Sequence, residues 1–275
     1  MHFPPTQRTL RAVDIGSGRG GDLLKWATIE GVVELLSLDI DAERLGEAER
    51  RFDELRRLGY IPSTLISSSF QVHDMGAMAI PRGDGCASIV SCHFAIQRIA
   101  SSAERLRFVL RDVARVLEPG GVFVAVLPSA TRIRRLFQEN LERSDRPLAI
   151  GDLHLRRRGE AYEYAFRGSM DWDMEHYVDE EALVNSLLEL GFRPSSALRG
   201  YFLTSCQEFI ELHGGLTSQT ALRVLRGALP CARDLATLSA FIVLLAVRGL
   251  DAEATTVIAH TSGPRPSPRS PSPQR

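Results

Sequence analysis

The stretch that decides the fold is Val13-Asp14-Ile15-Gly16-Ser17-Gly18-Arg19-Gly20-Gly21. It starts with apolar residues typical of a buried strand and continues into a glycine-rich turn that precedes an amphipathic segment. Glycines in such a turn remove side chains where the backbone must approach a ligand at the start of a helix. The stretch therefore predicts a strand, a ligand-binding turn and a helix, in that order.

Around this turn, short β-rich runs alternate with amphipathic helical stretches. Strands are predicted at 12–15, 32–38, 70–72, 87–92 and 122–127, and helices at 21–29, 42–58 and 103–117. This alternation is typical of a parallel sheet, because a helix carries the chain back between neighbouring parallel strands. We expect a doubly wound, Rossmann-like α/β fold with a mostly parallel, seven-stranded sheet and helices on both faces.

The pattern changes after about residue 129. Residues 161–169 look extended, 180–190 helical and 240–247 like a buried strand, and these segments could complete the same sheet. We expect one domain over residues 1–260, with insertions after about residue 129. Residues 261–275 are rich in Pro, Ser and Arg, which predicts a disordered tail because such a composition cannot pack a core.

Composition excludes several classes of protein. The formal net charge of −1 gives no overall attraction to nucleic acid or to anionic membranes, so an anionic partner must meet local basic patches. The longest apolar run, 240–247, is too short to cross a membrane. The cysteines do not form a C-x-x-C pair, which argues against a structural zinc site. We expect neither a membrane anchor nor a metal site.

Acidic residues at strand ends predict the class of ligand. Asp39 ends the second strand, where a carboxylate can bind both hydroxyls of a ribose, so together with the glycine turn it indicates a nucleoside-containing cofactor. The spacing G-x-G-x-G-G differs from the dinucleotide pattern G-x-G-x-x-G. Asp14 is unfavourable beside a pyrophosphate but favourable beside a sulfonium or an α-amino group. These features favour S-adenosylmethionine over a dinucleotide.

Two further strand ends reach the same edge of the predicted sheet. Asp74 follows the strand at 70–72 and can reach an adenine amino group, while His93 and Phe94 follow the strand at 87–92. Ligands of such folds bind at the carboxyl edge of the sheet. The alternative is that the carboxylates act only as helix caps or turn residues.

Residues 14–26 closely resemble the first motif of mRNA cap guanine-N7 methyltransferases, most distinctively in Gly-Gly-Asp-Leu-Leu-Lys-Trp. Residues 89–96 and 117–123 resemble later segments of the family. Farther along the chain, only two short separate segments, 174–178 and 239–243, resemble it. The resemblance covers residues 13 to about 137 well. It implies a class I methyltransferase fold and an enzyme that moves a methyl group from S-adenosylmethionine to N7 of the guanosine cap of mRNA.

The resemblance also implies roles for particular residues. No general base is required, because guanine N7 carries a lone pair and no proton, so no catalytic residue is assigned. The residues that would bind the cofactor are Asp14, Gly16, Gly18, Asp39, Asp74, His93 and Phe94. The residues that would bind the cap are Phe94, Gln97, Arg98, Pro128, Glu175 and Phe241.

Three departures from the family pattern bear on activity. Gln97-Arg98 stands where the family has His-Tyr, and Phe241 stands where it has Tyr. Arg98 could meet cap phosphates, whereas beside a sulfonium it would be repulsive. Only about a dozen residues precede the first strand, so we expect the family's upstream helix to be truncated or supplied by another chain.

Three functions remain open at this stage. The first is the cap methyltransferase, with capped RNA as substrate, other mRNA capping enzymes as partners and a nuclear location, with a cytoplasmic location as the alternative. The second is a catalytically weakened subunit that supports a capping enzyme, and the third is a small-molecule methyltransferase that shares only the cofactor half. Arginines at 132, 134, 135 and 156–158 could contact RNA phosphates or simply form a solvated face.

Overall fold

The computed structural model describes residues 9–63, 65, 67–140, 147–150, 153–166, 172–194, 202–205 and 241–249. The first half of the chain alternates strands and helices. Its elements are β1 (Leu10–Ile15), α1 (Leu23–Thr28), β2 (Val32–Asp39), α2 (Ala42–Arg57), β3 (Ser67–Val72), β4 (Ala87–His93), α3 (Ile96–Ile99), α4 (Ala103–Val116) and β5 (Leu117–Pro128).

The second half combines helices with short antiparallel strands. Its elements are α5 (Ala130–Glu139), β6 (Leu148–Ile150), β7 (Leu153–Arg158), β8 (Ala161–Phe166), β9 (Asp173–His176), α6 (Glu180–Glu189), β10 (Phe192–Pro194), β11 (Leu203–Ser205) and β12 (Phe241–Arg248). Strands β6 to β9 form a separate antiparallel sheet, which we call the small sheet.

The main sheet has the strand order β10-β12-β5-β4-β1-β2-β3, and the short β11 also pairs with β12. The five strands from β5 to β3 are parallel, whereas β12 is antiparallel to its neighbours. The chain order reverses between β1 and β4, so the turns after these two strands meet at the carboxyl edge of the sheet. The predicted doubly wound, mostly parallel sheet is confirmed.

Helices cover both faces of this sheet. On one face, α4 and α6 bury Leu110 and Leu187 in a core that also contains Val13 of β1. On the other face, α1 and α2 contribute Trp26 and Phe52 to a second core. Side chains alternate between the two faces of a strand, so a β1 strand buried on both sides reads as a continuous apolar run.

Local sequence explains where the helices begin. Asp41 accepts hydrogen bonds from the backbone N–H groups of Glu43 and Arg44, at 3.0 and 3.1 Å, and so caps α2. Ser102 caps α4 in the same way through the N–H of Arg105, at 3.2 Å. Because Asp41 lies two residues after the end of β2, this cap holds the start of α2 close to the strand end.

The small sheet is inserted between α5 and α6, and a side-chain clasp joins the two ends of the insertion. Glu180 Oε1 accepts hydrogen bonds from Ser129 Oγ at 2.8 Å and from the N–H of Thr131 at 3.2 Å. Ser129 and Thr131 lie where the chain leaves β5, and Glu180 is the first residue of α6. The clasp therefore holds the exit and return points of the insertion together at the main sheet.

The structure corrects some sequence-based expectations. Residues 161–166 do not complete the main sheet but form β8 of the small sheet, whereas β12 does join the main sheet, next to β5. Helix α1 is shorter than the predicted 21–29, and α5 was not predicted at all. Strand β5 begins at Leu117, directly after α4, and not at the predicted residue 122. The predicted tail at 261–275 lies outside the described residues.

The two-sided core predicts a contrast between two phenylalanines. Phe123 in β5 is fully buried, and Phe108 in α4 is 37% exposed. We expect Phe123→Ala to lower the free energy of unfolding by about 3–5 kcal/mol, because it leaves a cavity in a packed interior. Phe108→Ala should lower it by about 1 kcal/mol or less. Urea titration followed by circular dichroism measures both, and equal losses would contradict this description of the core.

Candidate active site

The glycine-rich turn after β1 is fastened to the end of β2. The backbone N–H groups of Gly16 and Ser17 both donate to the carbonyl oxygen of Leu38, at 2.8 and 3.0 Å. Gly16 has a φ of +70°, and a Cβ built on it would lie 2.3 Å from the Cβ of Ala95. A side chain at this position would collide with the segment that follows β4, so the close approach requires glycine.

Asp39 completes the attachment of the turn. Its Oδ2 accepts a hydrogen bond from the N–H of Gly18 at 2.7 Å, and its Oδ1 accepts one from the N–H of Asp41 at 2.9 Å. A carboxylate offers about four lone-pair sites, so each oxygen of Asp39 retains the capacity to accept a ribose hydroxyl. The residue thus shapes the turn and presents acceptors at the same edge of the sheet.

Asp14 is a buried carboxyl next to the turn. It is 4% exposed, and Ser91 Oγ, from the neighbouring position on β4, donates to its Oδ1 at 2.5 Å. Burial raises the pKa of Asp14 to about 7, and the nearby carboxylate of Asp22 adds to the rise, while Ser91 and Lys25 oppose it. A cationic group bound here would favour the ionised form.

His93 and Phe94 follow β4 at the carboxyl edge. Burial lowers the pKa of His93, so its imidazole is neutral near pH 7, and its buried Nδ1 has no hydrogen-bond partner among the described residues. The same part of the chain offers no partner to the buried Oγ of Ser17 in the turn. Phe94 has a φ of +54°, a conformation that L-residues adopt at a cost of roughly 1–2 kcal/mol. Strain of this kind tends to collect at functional sites.

Asp74 lies in a turn after β3. Its Oδ1 accepts a hydrogen bond from the N–H of Gly76 at 2.8 Å and lies 3.6 Å from a guanidinium nitrogen of Arg105. The N–H of His73 donates to the carbonyl of Asp39 at 2.8 Å, which holds the ends of β2 and β3 together. Asp74 is therefore a turn residue that lies close to the strand end that carries Asp39.

Glu175 on β9 faces α3 and is 2% exposed. Its Oε1 accepts a hydrogen bond from Gln97 Nε2 at 3.0 Å, and its Oε2 accepts one from Tyr162 OH at 2.9 Å. Arg98 Nε lies 3.5 Å from Oε1. Burial raises the pKa of Glu175, and its contacts with Gln97, Arg98 and Tyr162 oppose the rise. The structure thus brings three of the predicted cap-binding residues into direct contact.

The remaining predicted cap-binding residues lie on adjacent strands. Pro128 is buried at the end of β5 and is the cross-strand neighbour of Phe241 at the start of β12. The side chain of Phe241 lies outside the described residues. Phe94 packs against the core that contains Tyr162 of the small sheet and Ile133 of α5.

Several polar residues at this site were not singled out from the sequence. Ser91, Asp22 and Lys25 surround Asp14, and Asp22 and Lys25 form an ion pair. Tyr162, Tyr164 and Asp173 surround Glu175 and Arg98. A signal for the second group exists in the sequence, because Tyr162 and Tyr164 alternate in one strand and Asp173 and Glu175 in the next, which puts all four on one face.

The two arginine clusters have mixed surroundings. Arg134 lies over the ring of Tyr177 at 4.6 Å, and Arg156 lies over that of Trp172 at 3.7 Å. Arg135 pairs with Glu139 at 2.7 Å, and Arg158 with Glu163 at 2.9 Å.

Within the described ranges, no group of three or more His, Cys, Asp and Glu residues could hold a metal ion. No helix in that part of the chain is long and apolar enough to span a membrane.

Comparison with known protein families identifies the chain. The mRNA (guanine-N(7))-methyltransferase domain matches residues 2–152, which include β1 to β6 and all of the predicted cofactor residues. The chain belongs to this family. The resemblance predicted from the glycine-rich motif is therefore confirmed.

Curated members of the family are similar over part of their length. The mRNA cap guanine-N(7) methyltransferase of Caenorhabditis elegans is 30% identical over 126 residues, which are 45% of this chain and 32% of that protein. The mRNA cap guanine-N(7) methyltransferase 1 of Arabidopsis thaliana is 28% identical over 182 residues, which are 63% of this chain and 47% of that protein. The chain thus spans less than half the length of these relatives.

Solved structures support the fold assignment. An S-adenosylmethionine-dependent methyltransferase from Methanosarcina mazei has a TM-score of 0.52 at 17% identity, covering 91% of this chain and all of that one. A putative S-adenosylmethionine-dependent methyltransferase from Listeria monocytogenes has a TM-score of 0.52 at 15% identity, covering 90% and 93%. The main sheet and its helices therefore form the Rossmann-like methyltransferase fold.

The close approach at Gly16 predicts a difference between two glycine substitutions. Gly16 and Gly59 both have positive φ, but a Cβ at Gly59 would meet no atom within 4 Å. Gly59→Ala should lower the free energy of unfolding by about 1–2 kcal/mol through backbone strain alone. Gly16→Ala should lower it by at least about 1 kcal/mol more, because Ala95 must move. Thermal denaturation of the two variants tests this, and equal losses would refute the close packing.

Proposed function

We propose that this chain transfers the methyl group of S-adenosylmethionine to N7 of the guanosine cap at the 5′ end of mRNA. Family membership supports the proposal, and the observation that carries it is the hydrogen bond between Gln97 and Glu175. This contact joins the helix that follows the cofactor edge of β4 to the wall formed by the small sheet. A purine base held against that wall would lie beside the glycine-turn edge.

The residues of the β1, β2, β3 and β4 ends fit S-adenosylmethionine. Buried Asp14 suits a cationic group, and Asp39 presents acceptors suited to ribose hydroxyls. His93 Nδ1 and Ser17 Oγ are buried polar atoms that find no hydrogen-bond partner within the described ranges, and a polar ligand would supply one. We assign the methionine part to Asp14, Gly16 and Gly18, the ribose to Asp39 and the adenine to Asp74, with His93 and Phe94 beside them.

S-Adenosylmethionine supplies an electrophilic methyl group when bound. The chain would hold guanine N7 in line with that methyl, and such alignment is a large part of what a site without a general base contributes. N7 needs no deprotonation. The N7–C bond would form as the methyl–sulfur bond breaks, so that the neutral thioether S-adenosylhomocysteine leaves and the positive charge passes to the base. The carboxylate of Glu175 would stabilise that charge while accepting hydrogen bonds from the base's N1–H and amino group. Phe94, Pro128 and Phe241 would enclose the ring.

A second candidate is a weakened methyltransferase-like subunit of a capping complex. The observation that favours it is that both oxygens of Glu175 already have partners, in Gln97 and Tyr162, and that Arg98 lies beside them. If this candidate is right, the side chains around Glu175 already occupy its oxygens and leave no place for a guanine base. Family membership makes the third reading, a small-molecule methyltransferase, less favourable. For either leading candidate we propose capped RNA and other capping enzymes as partners and a nuclear location.

A transfer assay separates the candidates. The protein is incubated with radiolabelled S-adenosylmethionine and GpppG-capped RNA, and the RNA is digested to release the cap nucleoside. We expect labelled 7-methylguanosine. Cofactor binding without transfer would overturn the enzyme proposal and support the subunit, whereas absence of cofactor binding would overturn both.

Two carboxylates should have separate roles. Asp39→Ala should abolish binding of S-adenosylmethionine, because it removes both ribose acceptors and the partner of the Gly18 N–H. Glu175→Ala should bind the cofactor normally and lose cap methylation. Isothermal calorimetry and the transfer assay measure the two effects, with the exposed Asp53→Ala as a control. Loss of cofactor affinity in the Glu175 variant would show that the pocket assignment is wrong.

The raised pKa of Asp14 predicts pH-dependent binding. A cationic ligand binds best when Asp14 is ionised, and in the free protein its pKa is about 7. The affinity for S-adenosylmethionine should therefore rise with pH, by up to about tenfold per pH unit below about pH 7, and level off above it. Binding below pH 7 should release a proton, which calorimetry in buffers of different ionisation enthalpy detects. An Asp14→Asn variant with the same pH dependence would contradict the assignment.

A further inference from the structure

Arg98 in α3 is a cation beside the buried Glu175, and its contacts show which groups it serves. The guanidinium extends from α3 to the small sheet. Its Nη2 lies 2.8 Å from Asp173 Oδ2 and 2.9 Å from Tyr164 OH, and its Nε lies 3.5 Å from Glu175 Oε1. The positive charge of Arg98, whose role the sequence left open, therefore lies beside the carboxylates of Asp173 and Glu175.

Glu175 needs a counter-charge because of where it lies. A carboxylate that is 2% exposed is stable in its ionised form only if it is paired and hydrogen-bonded. The groups that face it are Gln97 and Arg98 from α3, Tyr162 from β8 and Asp173 from its own strand β9. Among these residues Arg98 is the cation, while Gln97 and Tyr162 are neutral donors.

Asp173 serves a different purpose from Glu175. It lies two residues earlier on β9, so its side chain is on the same face, and its side chain is 47% exposed. Its negative charge opposes ionisation of Glu175. Its bond to Nη2, together with that of Tyr164, holds the guanidinium in place with Nε 3.5 Å from Glu175 Oε1.

We propose that Arg98 is a positioning residue that keeps Glu175 ionised and oriented for the acceptor base, and that Asp173 and Tyr164 orient Arg98 for this task. The proposal rests on the proposed function for its consequence, since an ionised Glu175 is what guanine recognition requires.

The central experiment compares Arg98→Met with the parent protein across pH. Met keeps the length of the side chain and removes the charge. An opposite charge at this distance typically lowers a carboxyl pKa by about 1–3 units, so its loss should move the acid limb of kcat/KM for GpppG-capped RNA to higher pH by about one unit or more. The KM for RNA at pH 7 should rise about tenfold, while the Kd for S-adenosylmethionine stays within about twofold.

Three further variants separate charge, geometry and general effects of substitution. Arg98→Lys keeps the charge and loses the forked donor, so its acid limb should stay near that of the parent while the KM rises. Asp173→Asn should raise the KM without moving the acid limb upward. Arg11→Met removes an exposed guanidinium that pairs with Glu34 near the start of β1, at the opposite end of the strand from the glycine-rich turn, and should change neither parameter.

A spectroscopic measurement makes the proposal testable without catalysis. A buried protonated carboxyl gives an infrared carbonyl band, and the band of Glu175 is identified by its absence in Glu175→Gln. In titrations of the intact protein, this band should appear at higher pH in Arg98→Met than in the parent. Superimposable titrations would overturn the proposal whether or not the protein methylates caps. Absence of transfer with a shifted titration would overturn only the proposed function.

Discussion

The hydrogen bonds between the turn after β1 and the end of β2 hold the candidate site in shape. The N–H groups of Gly16 and Ser17 donate to the carbonyl oxygen of Leu38 in β2, and that of Gly18 donates to the carboxylate of Asp39. A turn so rich in glycine would have many conformations if it were not held in this way. The contact between Gly16 and the segment after β4 adds a third strand end to the same structure. The relative positions of Asp14, Asp39 and His93 follow from these few bonds.

Burial of charge is the second constraint, and it applies on both sides of the site. Asp14 and Glu175 are almost fully enclosed, and for each the enclosure alone raises the pKa. The two are stabilised differently. Asp14 has the hydroxyl of Ser91 and a shared environment with Lys25, whereas Glu175 has two neutral donors and Arg98. In the proposed function the cofactor side gains a cation on binding and the acceptor side already contains one.

The sequence predicted the strands and helices on the glycine-turn side of the site well and those on the small-sheet side poorly, for physical reasons. In the first half each strand and helix has a strong local pattern, and the parallel topology brings all strand ends to one edge, so motif position alone predicts the neighbours of Asp39. The small sheet pairs its strands through short runs with weak periodicity, and β8 was therefore expected in the main sheet. The partners of Arg98 could not be predicted, because Tyr164 and Asp173 meet it only through an insertion whose docking depends on long-range packing.

The clasp at Glu180 has a consequence for how the acceptor wall can change. Because Ser129 and Thr131 are tied to the first turn of α6, the inserted segment leaves and re-enters the main sheet at one closed junction. Loop-closure entropy grows only slowly with length, so a longer or shorter insertion is tolerated if its junction is kept. The small sheet, which carries Glu175, can therefore differ in length and sequence between homologous proteins while the strand ends that bear Asp14 and Asp39 stay the same.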